Sequence, residues 1–296
     1  MTFLVSDHVR DGAAVALETS VIGQGLPYPR NLECVERMST AVRSRGGTPA
    51  WIGVVDGAVR VGLTDAELAR LAEPGAATKV ARRDLPVAAA TGALGATTVS
   101  ATVWAAHRAG IVIAATGGIG GVHPAAHRQD DVSADLMGLA RTPILLVCSG
   151  PKSIVDPAST AERLEELGVA LVGYRCERLP FFLAGEAPVE LEHRVDDPAG
   201  AAAVMRAARD IANPGAIVLC NPIPADDAMD APEIAEASAA CEAEAARRGI
   251  AGKALTPFLL SCLAERTGGR SLEANLALLE ANASLAAEVA VELARS

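Results

Sequence analysis

The chain has 296 residues, 50% of them hydrophobic and 21% charged, which is enough apolar material for a large core and excludes a disordered segment. A formal net charge of -10, with no cluster of lysine and arginine interleaved with aromatics, excludes a general nucleic-acid surface. An anionic ligand would need a locally positive pocket.

The first residues, MTFLVSDHVRDG, lack a basic stretch followed by a long apolar run, and no apolar run of about 18 residues occurs anywhere in the chain. A soluble, cytoplasmic protein is expected. Ala13 to Leu17 reads as a short buried strand ending at Glu18, followed by Thr19-Ser20 and the turn Gly23-Gln24-Gly25-Leu26-Pro27-Tyr28-Pro29. A carboxylate at the mouth of a buried strand is a common place for a catalytic acid, although a capping or surface glutamate gives the same pattern. Pro29 opens a helix to about Arg45, stopped by Gly46-Gly47. Asp56-Gly57 between Ala50–Val55 and Ala58–Gly62 predicts a hairpin, and Thr64 with Glu67 predicts a capping box on a helix over 65–72.

Lys79 lies in the short extended segment Thr78-Lys79-Val80, where it faces either a phosphate or solvent. Ala93 to Thr98 reads as a small-residue loop leading into a helix to Ala109. Thr97, Thr98 and the backbone at Val99 therefore sit at a helix N-terminus, as a phosphate seat or as simple caps. Ile111–Ala115 and Pro143–Cys148 read as buried strands. The first opens into Thr116-Gly117-Gly118-Ile119-Gly120-Gly121-Val122-His123, whose four glycines allow successive N–H groups to converge on an anion. The second opens into Ser149-Gly150-Pro151-Lys152-Ser153, and Asp130, Asp131, Ser133 and Asp135 lie between the two.

Beyond Ser153 the alternation continues with a helix over 158–167, a strand over 169–174, a helix over 198–212 and a strand over 216–220 that opens into Asn221-Pro222-Ile223-Pro224. Helices follow over about 233–248, 254–266 and 271–295, expected to cover one face of the sheet. The pattern predicts a single α/β domain over 1–296, with a mixed, largely parallel sheet flanked by helices and a helical C-terminal third. Six cysteines, at 34, 148, 176, 220, 241 and 262, show neither CxxC nor zinc spacing, and most read as buried reduced thiols.

Of the 26 basic residues only Lys79, Lys152 and Lys253 are lysines. Unlike a guanidinium, an ammonium can lose its proton and become a nucleophile, so these three positions are candidates for chemistry. The glycine loop does not fit a dinucleotide fingerprint, since counting from Gly118 the sixth position is His123, and no Walker A lysine is present. A phosphate site beside a nucleophilic lysine points to imine chemistry on an aldose, with Glu18 moving protons and Asp131 or Asp135 holding a hard divalent cation. The residues alone reach a sugar-phosphate lyase, aldolase or glycosidase.

The motifs A-L-E-T-S-V-I-G-Q-G-L-P-Y-P-R-N (16–31), T-K-V-A-R-R-D-L (78–85), A-T-G-G-I-G-G-V-H (115–123), D-V-S-A-D-L (131–136), G-P-K-S-I-V-D (150–156), N-P-I-P (221–224), G-K-A-L-T-P-F-L-L (252–260) and S-L-E-A-N-L-A-L-L (271–279) run over nearly the whole chain. Together they resemble the pseudouridine-5'-phosphate glycosidase family. The resemblance implies reversible cleavage of pseudouridine 5'-phosphate to uracil and ribose 5-phosphate, with Mn²⁺, in a homotrimer of mixed α/β fold. It places the nucleophile on Lys152, the proton donor on Glu18 and the metal ligand on Asp131. Substrate contacts fall on Lys79, Val99, Ser133, Ala134 and Asp135, with phosphate or sugar contacts on Thr98, Thr116, His123 and Asn275; it gives Lys253 no role.

Pro124, Gln129-Asp130 and Ala281 depart from the family pattern and bear on substrate preference. A C-glycoside synthase joining ribose 5-phosphate to another aromatic acceptor would keep Lys152 and Glu18. A non-catalytic sugar-phosphate sensor would tolerate Lys152→Arg.

Overall fold

The computed structural model describes residues 2–10, 12–123 and 132–295. The N-terminal third runs β1 (Thr2–Val5), β2 (Ala14–Glu18), α1 (Arg30–Ser44), β3 (Thr48–Val55), β4 (Ala58–Val61), α2 (Asp65–Ala72), β5 (Thr78–Val80) and α3 (Leu85–Ala90). Next come β6 (Gly95–Thr97), α4 (Val99–Arg108), β7 (Ile113–Ala115), α5 (Ala134–Ala140), β8 (Leu145–Cys148), α6 (Pro157–Glu166) and β9 (Ala170–Tyr174). The rest is β10 (Arg178–Phe181), β11 (Ala184–Glu190), β12 (Arg194–Val195), α7 (Pro198–Asp210), β13 (Ile217–Cys220), α8 (Ala231–Arg247), α9 (Leu255–Arg266) and α10 (Arg270–Ala294).

Apart from the β10–β11 hairpin, the described strands form one sheet of order β1-β4-β3-β2-β7-β8-β13-β9-β12, with β6 added on β3 and β5 on β6. From β3 to β12 the neighbours are parallel, and β3 pairs antiparallel with β4 and β6. The sheet is mixed and largely parallel, as expected.

Both faces are buried. Val15, Leu17, Ile113, Ala115, Leu145 and Val147 point into a core shared with α1, α7 and α10. Their alternate neighbours Ala16, Ala114, Ile144 and Leu146 point into a second core with α4, α5 and α6. Strands covered on both faces show short continuous apolar runs rather than polar alternation, which is the pattern these segments carry.

The hairpin turn has both central residues in the left-handed region, Asp56 at φ 51° and Gly57 at φ 76°, as a two-residue loop of this type requires. The capping box of Thr64 and Glu67 forms. The expected loop over 93–98 contains a strand instead. β6 pairs through small residues, and a Cβ on Gly95 would lie 2.6 Å from Val80 Cγ2, so the close approach that admits it left no apolar signature.

Only α10 of the last three helices covers the sheet, packing on β2, β7 and β8. By contrast α8 and α9 form a separate two-helix cap. Its cluster of Cys241, Ala245, Leu255 and Leu259 closes on Ile154 and Val155, directly after the Lys152 loop. The cap is stapled by a disulfide between Cys241 and Cys262, across a sequence separation of 21. The expectation of reduced thiols holds for Cys34, Cys148, Cys176 and Cys220, which are free and buried. The bonded pair sits on facing helices, a proximity that no motif records. Reducing the bond, or Cys262→Ser, is expected to lower stability by about 3 kcal/mol, measured by urea unfolding. Burial pushes the Cys34 and Cys148 thiols up to about 12, so neither competes as a nucleophile at neutral pH. No described helix is long and apolar enough to cross a membrane.

Candidate active site

Strands β2, β7, β8 and β13 run parallel, so all four end at one edge of the sheet, where α/β proteins bind ligands. Glu18 is the last residue of β2, Thr116 follows β7, Ser149 follows β8 and Asn221 follows β13. The loops after β7 and β8 stay laced together. Ser149 N–H donates to Gly117 O at 2.8 Å, Ile119 N–H to Gly150 O at 3.1 Å and Lys152 N–H to Ile119 O at 3.0 Å. Lys152 is thus delivered on an extension of the sheet rather than on a free loop.

A cavity of about 400 Å³ opens at this edge. Glu18, Lys79, Thr98, Thr116, His123 and Lys152 line it, together with Ser133, Ala134 and Asp135 from the start of α5 and Asn275 from α10. Glu18 and Asn275, 257 positions apart in the chain, are therefore brought to one site. Val99 is the exception. Its side chain is buried in the core on the α4 side, and it does not line the cavity. Asp131 lies outside the described residues, as do Pro124 and Gln129-Asp130. Ala281 is half-buried on α10.

Glu18 is 4% exposed, and both carboxylate oxygens accept hydroxyl hydrogen bonds, Oε2 from Ser20 at 2.6 Å and Oε1 from Thr116. Two rotatable hydroxyls can orient either protonation state of the carboxyl group, since each can donate or accept. No carboxylate among the described residues forms an ion pair with Lys152.

The four glycines serve a different purpose from the one expected. None of Gly117, Gly118, Gly120 and Gly121 has positive φ. Several loop N–H groups are already engaged: Ile119 with Gly150 O, Gly120 with Asp135 Oδ2 at 3.1 Å and Val122 with Thr160 Oγ1 at 3.0 Å. What demands glycine is contact. A Cβ at Gly120 would lie 2.3 Å from Ser133 Oγ, at Gly121 2.2 Å from Thr160 Oγ1 and at Gly118 2.7 Å from the Phe182 ring. The positively charged side chains that line the cavity are Lys79, Lys152 and Arg83.

Asp135 is likewise drawn into the protein. It is 6% exposed, and its second oxygen accepts Ser100 N–H at 3.0 Å, so it clamps the start of α4 to the glycine loop. Thr98 holds the N-cap position of α4, but its hydroxyl pairs with Ser100 Oγ rather than with a backbone N–H. The phosphate seat expected at this N-terminus is thus partly filled by Asp135.

Several lining residues were not singled out from the sequence. Arg83 lies within T-K-V-A-R-R-D-L, and the cap supplies Thr256, Pro257 and Leu260. Phe182, with φ 52° and its ring against Gly118, forms the inner wall. Gly150, at φ 76°, is the tightest point of the lysine loop: a Cβ there would lie 1.9 Å from Pro180 O. Backbone cannot move aside as a side chain can, so Gly150→Ala is expected to cost about 3 kcal/mol or more of stability, read as a lowered urea midpoint with loss of activity.

The family model described as indigoidine synthase A like protein matches residues 5–292. A protein of Methylobacterium nodulans named pseudouridine-5'-phosphate glycosidase is 47% identical over 279 residues, covering 94% of this chain and 83% of that protein. One of the same name from Symbiobacterium thermophilum is 46% identical over 290 residues, covering 96% and 94%. Among solved structures, the prealnumycin C-glycosynthase AlnA in complex with ribulose 5-phosphate superposes with a TM-score of 0.90 at 37% identity, covering 100% of this chain and 98% of that one. An indigoidine synthase A-like protein from Thermotoga maritima gives 0.92 at 36% identity, covering 100% and 97%. With the model match and these identities spanning nearly its whole length, the chain belongs to the pseudouridine-5'-phosphate glycosidase family.

Proposed function

We propose that the protein cleaves the C–C glycosidic bond of pseudouridine 5'-phosphate reversibly, giving uracil and ribose 5-phosphate through an imine on Lys152. The observation that carries this reading is the meeting of Lys152 and the hydroxyl-held Glu18 in one cavity that also presents Lys79 and Arg83. The names of the curated relatives support the substrate, and the ribulose 5-phosphate in AlnA supports a sugar phosphate as the ligand class.

A C-glycoside has no heteroatom at the bond to be broken, so protonating a leaving nitrogen or oxygen does not release the base. Opening the ribose ring first removes the difficulty. Glu18 gives a proton to the ring oxygen as the C1'–O bond breaks, with the electron pair supplied from uracil N1 through C5. The neutral Lys152 amine then adds to C1'. The Glu18 carboxylate takes the proton that the added nitrogen sheds and delivers it to uracil C5. The C1'–C5 pair returns to the uracil ring while the lysine nitrogen lone pair forms the iminium, and water hydrolyses the iminium to ribose 5-phosphate. The sum is substrate plus water to uracil plus ribose 5-phosphate, with Lys152 and Glu18 regenerated.

Lys79 and Arg83 suit the phosphate. Asn275 is 7% exposed, no described residue hydrogen-bonds its side chain, and its amide offers a donor and an acceptor to the imide edge of uracil. Among the described residues no three His, Cys, Asp or Glu side chains gather to form a cage for a metal. The family resemblance assigns an Mn²⁺ that keeps most of its waters to Asp131, which lies outside the described residues; when bound, the cation would supply charge neutralisation. The assembled enzyme is a cytoplasmic homotrimer in this reading, which light scattering on purified protein tests.

A second reading rests on a neighbouring cavity of about 500 Å³ that shares Gln24, Phe182, Leu260 and Asn275 with the first and adds Ile22, Leu26 and Leu263. An aromatic aglycone larger than uracil has room there, as a C-glycoside synthase needs. Incubation with pseudouridine 5'-phosphate and Mn²⁺ decides: uracil release supports the glycosidase. No uracil, together with coupling of ribose 5-phosphate to a polycyclic phenol, supports the synthase.

A further inference from the structure

Asn282 on α10 is fully buried, yet its side chain is hydrogen-bonded to the ends of three strands. Its amide N–H groups donate to Thr116 O at 2.9 Å and to Ser149 Oγ at 3.0 Å, with Gly117 O further off at 3.4 Å. Its oxygen accepts from Asn221 Nδ2 at 2.9 Å. The orientation is determined by chemistry, because the Thr116 carbonyl can only accept and the Asn221 amide nitrogen can only donate. One side chain therefore joins the ends of β7, β8 and β13, adding a cross-link to the backbone bonds from Thr116 N–H to Val147 O, Ser149 N–H to Gly117 O and Asn221 N–H to Cys148 O.

Two of those ends carry the reacting groups. Thr116 donates its hydroxyl to Glu18, and Ser149 begins the loop that presents Lys152. Phe182 is tied to the same point, its N–H donating to Ser149 O at 2.8 Å. Resting on the glycosidase reading above, we infer that Asn282 is a positioning residue, whose amide fixes the distance between the proton donor Glu18 and the nucleophile Lys152. Asn282 does not line the cavity. Its effect is transmitted through Thr116 and Ser149 to the placement of the catalytic groups, whereas Lys79, Arg83 and Asn275 reach the ligand without it.

This division gives a signature that a purely structural residue does not produce. Losing the pin displaces the two reacting groups relative to each other while leaving the phosphate and base contacts in place. A shift on the order of 1 Å in a reacting pair costs about 10²-fold in rate. Steady-state kinetics on pseudouridine 5'-phosphate, below the unfolding temperature of each protein, is expected to show kcat of Asn282→Ala reduced about 10²-fold with KM within about threefold of wild type. Asn221→Ala keeps Asn282 and removes one restraint from its half-buried side, so its kcat falls by a smaller factor, about 3- to 10-fold, again without a rise in KM.

Should Asn282→Ala fail to fold, Asn221→Ala and Ser149→Ala carry the test with the same split. Folded variants with wild-type kcat, or with raised KM and unchanged kcat, overturn the positioning role. Wild-type enzyme that releases no uracil overturns the glycosidase reading and the inference with it, so the two failures are told apart by the wild-type assay.

Discussion

Lys152→Arg is expected to abolish uracil release, with kcat/KM lower by about 10⁴-fold or more, equivalent to about 5.5 kcal/mol of transition-state stabilisation. Arginine keeps a positive charge and hydrogen-bond donors in nearly the same volume but stays protonated at any working pH. The substitution therefore separates the two services a lysine can render. A lysine that only attracts phosphate would be replaced with modest loss, whereas a lysine that bonds to C1' has no substitute. Wild-type protein treated with ribose 5-phosphate and borohydride should gain one reduced sugar-phosphate adduct on Lys152 by peptide mass, and the variant none. A variant retaining activity within tenfold of wild type, or an adduct on Lys79 instead, would refute the nucleophile assignment. A sugar-phosphate sensor predicts binding retained in the variant and no turnover in either protein.

Strand positions were legible because a parallel strand buried on both faces has a short apolar run with few alternatives. The runs ending at Glu18, Ala115, Cys148 and Cys220 all end within the sheet where expected. The site was legible as a set of strand ends for the same reason. The glycine loop misled, since glycine has two uses and the sequence does not say which applies. Conformational freedom makes an anion nest, but here the missing Cβ lets Ser133, Thr160 and Phe182 approach. Likewise β6 was hidden because Gly95 and Ala96 have almost no side chain with which to announce a strand.

The cap was the least legible part. Its helices are evident in the sequence as helices, but amphipathicity does not state whether the partner is a sheet face or another helix, and here α8 and α9 pack on each other. Asn282 left a weak signal. It lies seven residues after Asn275 in α10, hence on nearly the same helix face, in a stripe otherwise made of Leu278, Leu279, Ala283 and Ala286. Two asparagines on an apolar stripe imply polar partners waiting in the core, because an unpaired buried amide is costly. The partners of Asn282 came from the ends of three different strands, which no local pattern connects.

Glu18→Gln tests the other half of the chemistry and should leave the first half standing. Glutamine has nearly the same shape, and its amide can still pair with Ser20 and Thr116, one hydroxyl donating to the amide oxygen and the other accepting from the nitrogen. What disappears is the transferable proton. Uracil release is expected to fall by about 10²- to 10⁴-fold, the range of general acid–base catalysis. Ribose 5-phosphate, by contrast, opens to its aldehyde in water without help from Glu18, so borohydride should still trap its imine on Lys152 in the variant. Retained trapping with lost cleavage assigns Glu18 to proton movement at the intact nucleoside and leaves sugar capture to Lys152. Loss of both would mean that Glu18 instead maintains the position of the lysine. Uracil release within about threefold of wild type would remove Glu18 from the mechanism altogether, since water-mediated protonation of the ring oxygen would then suffice.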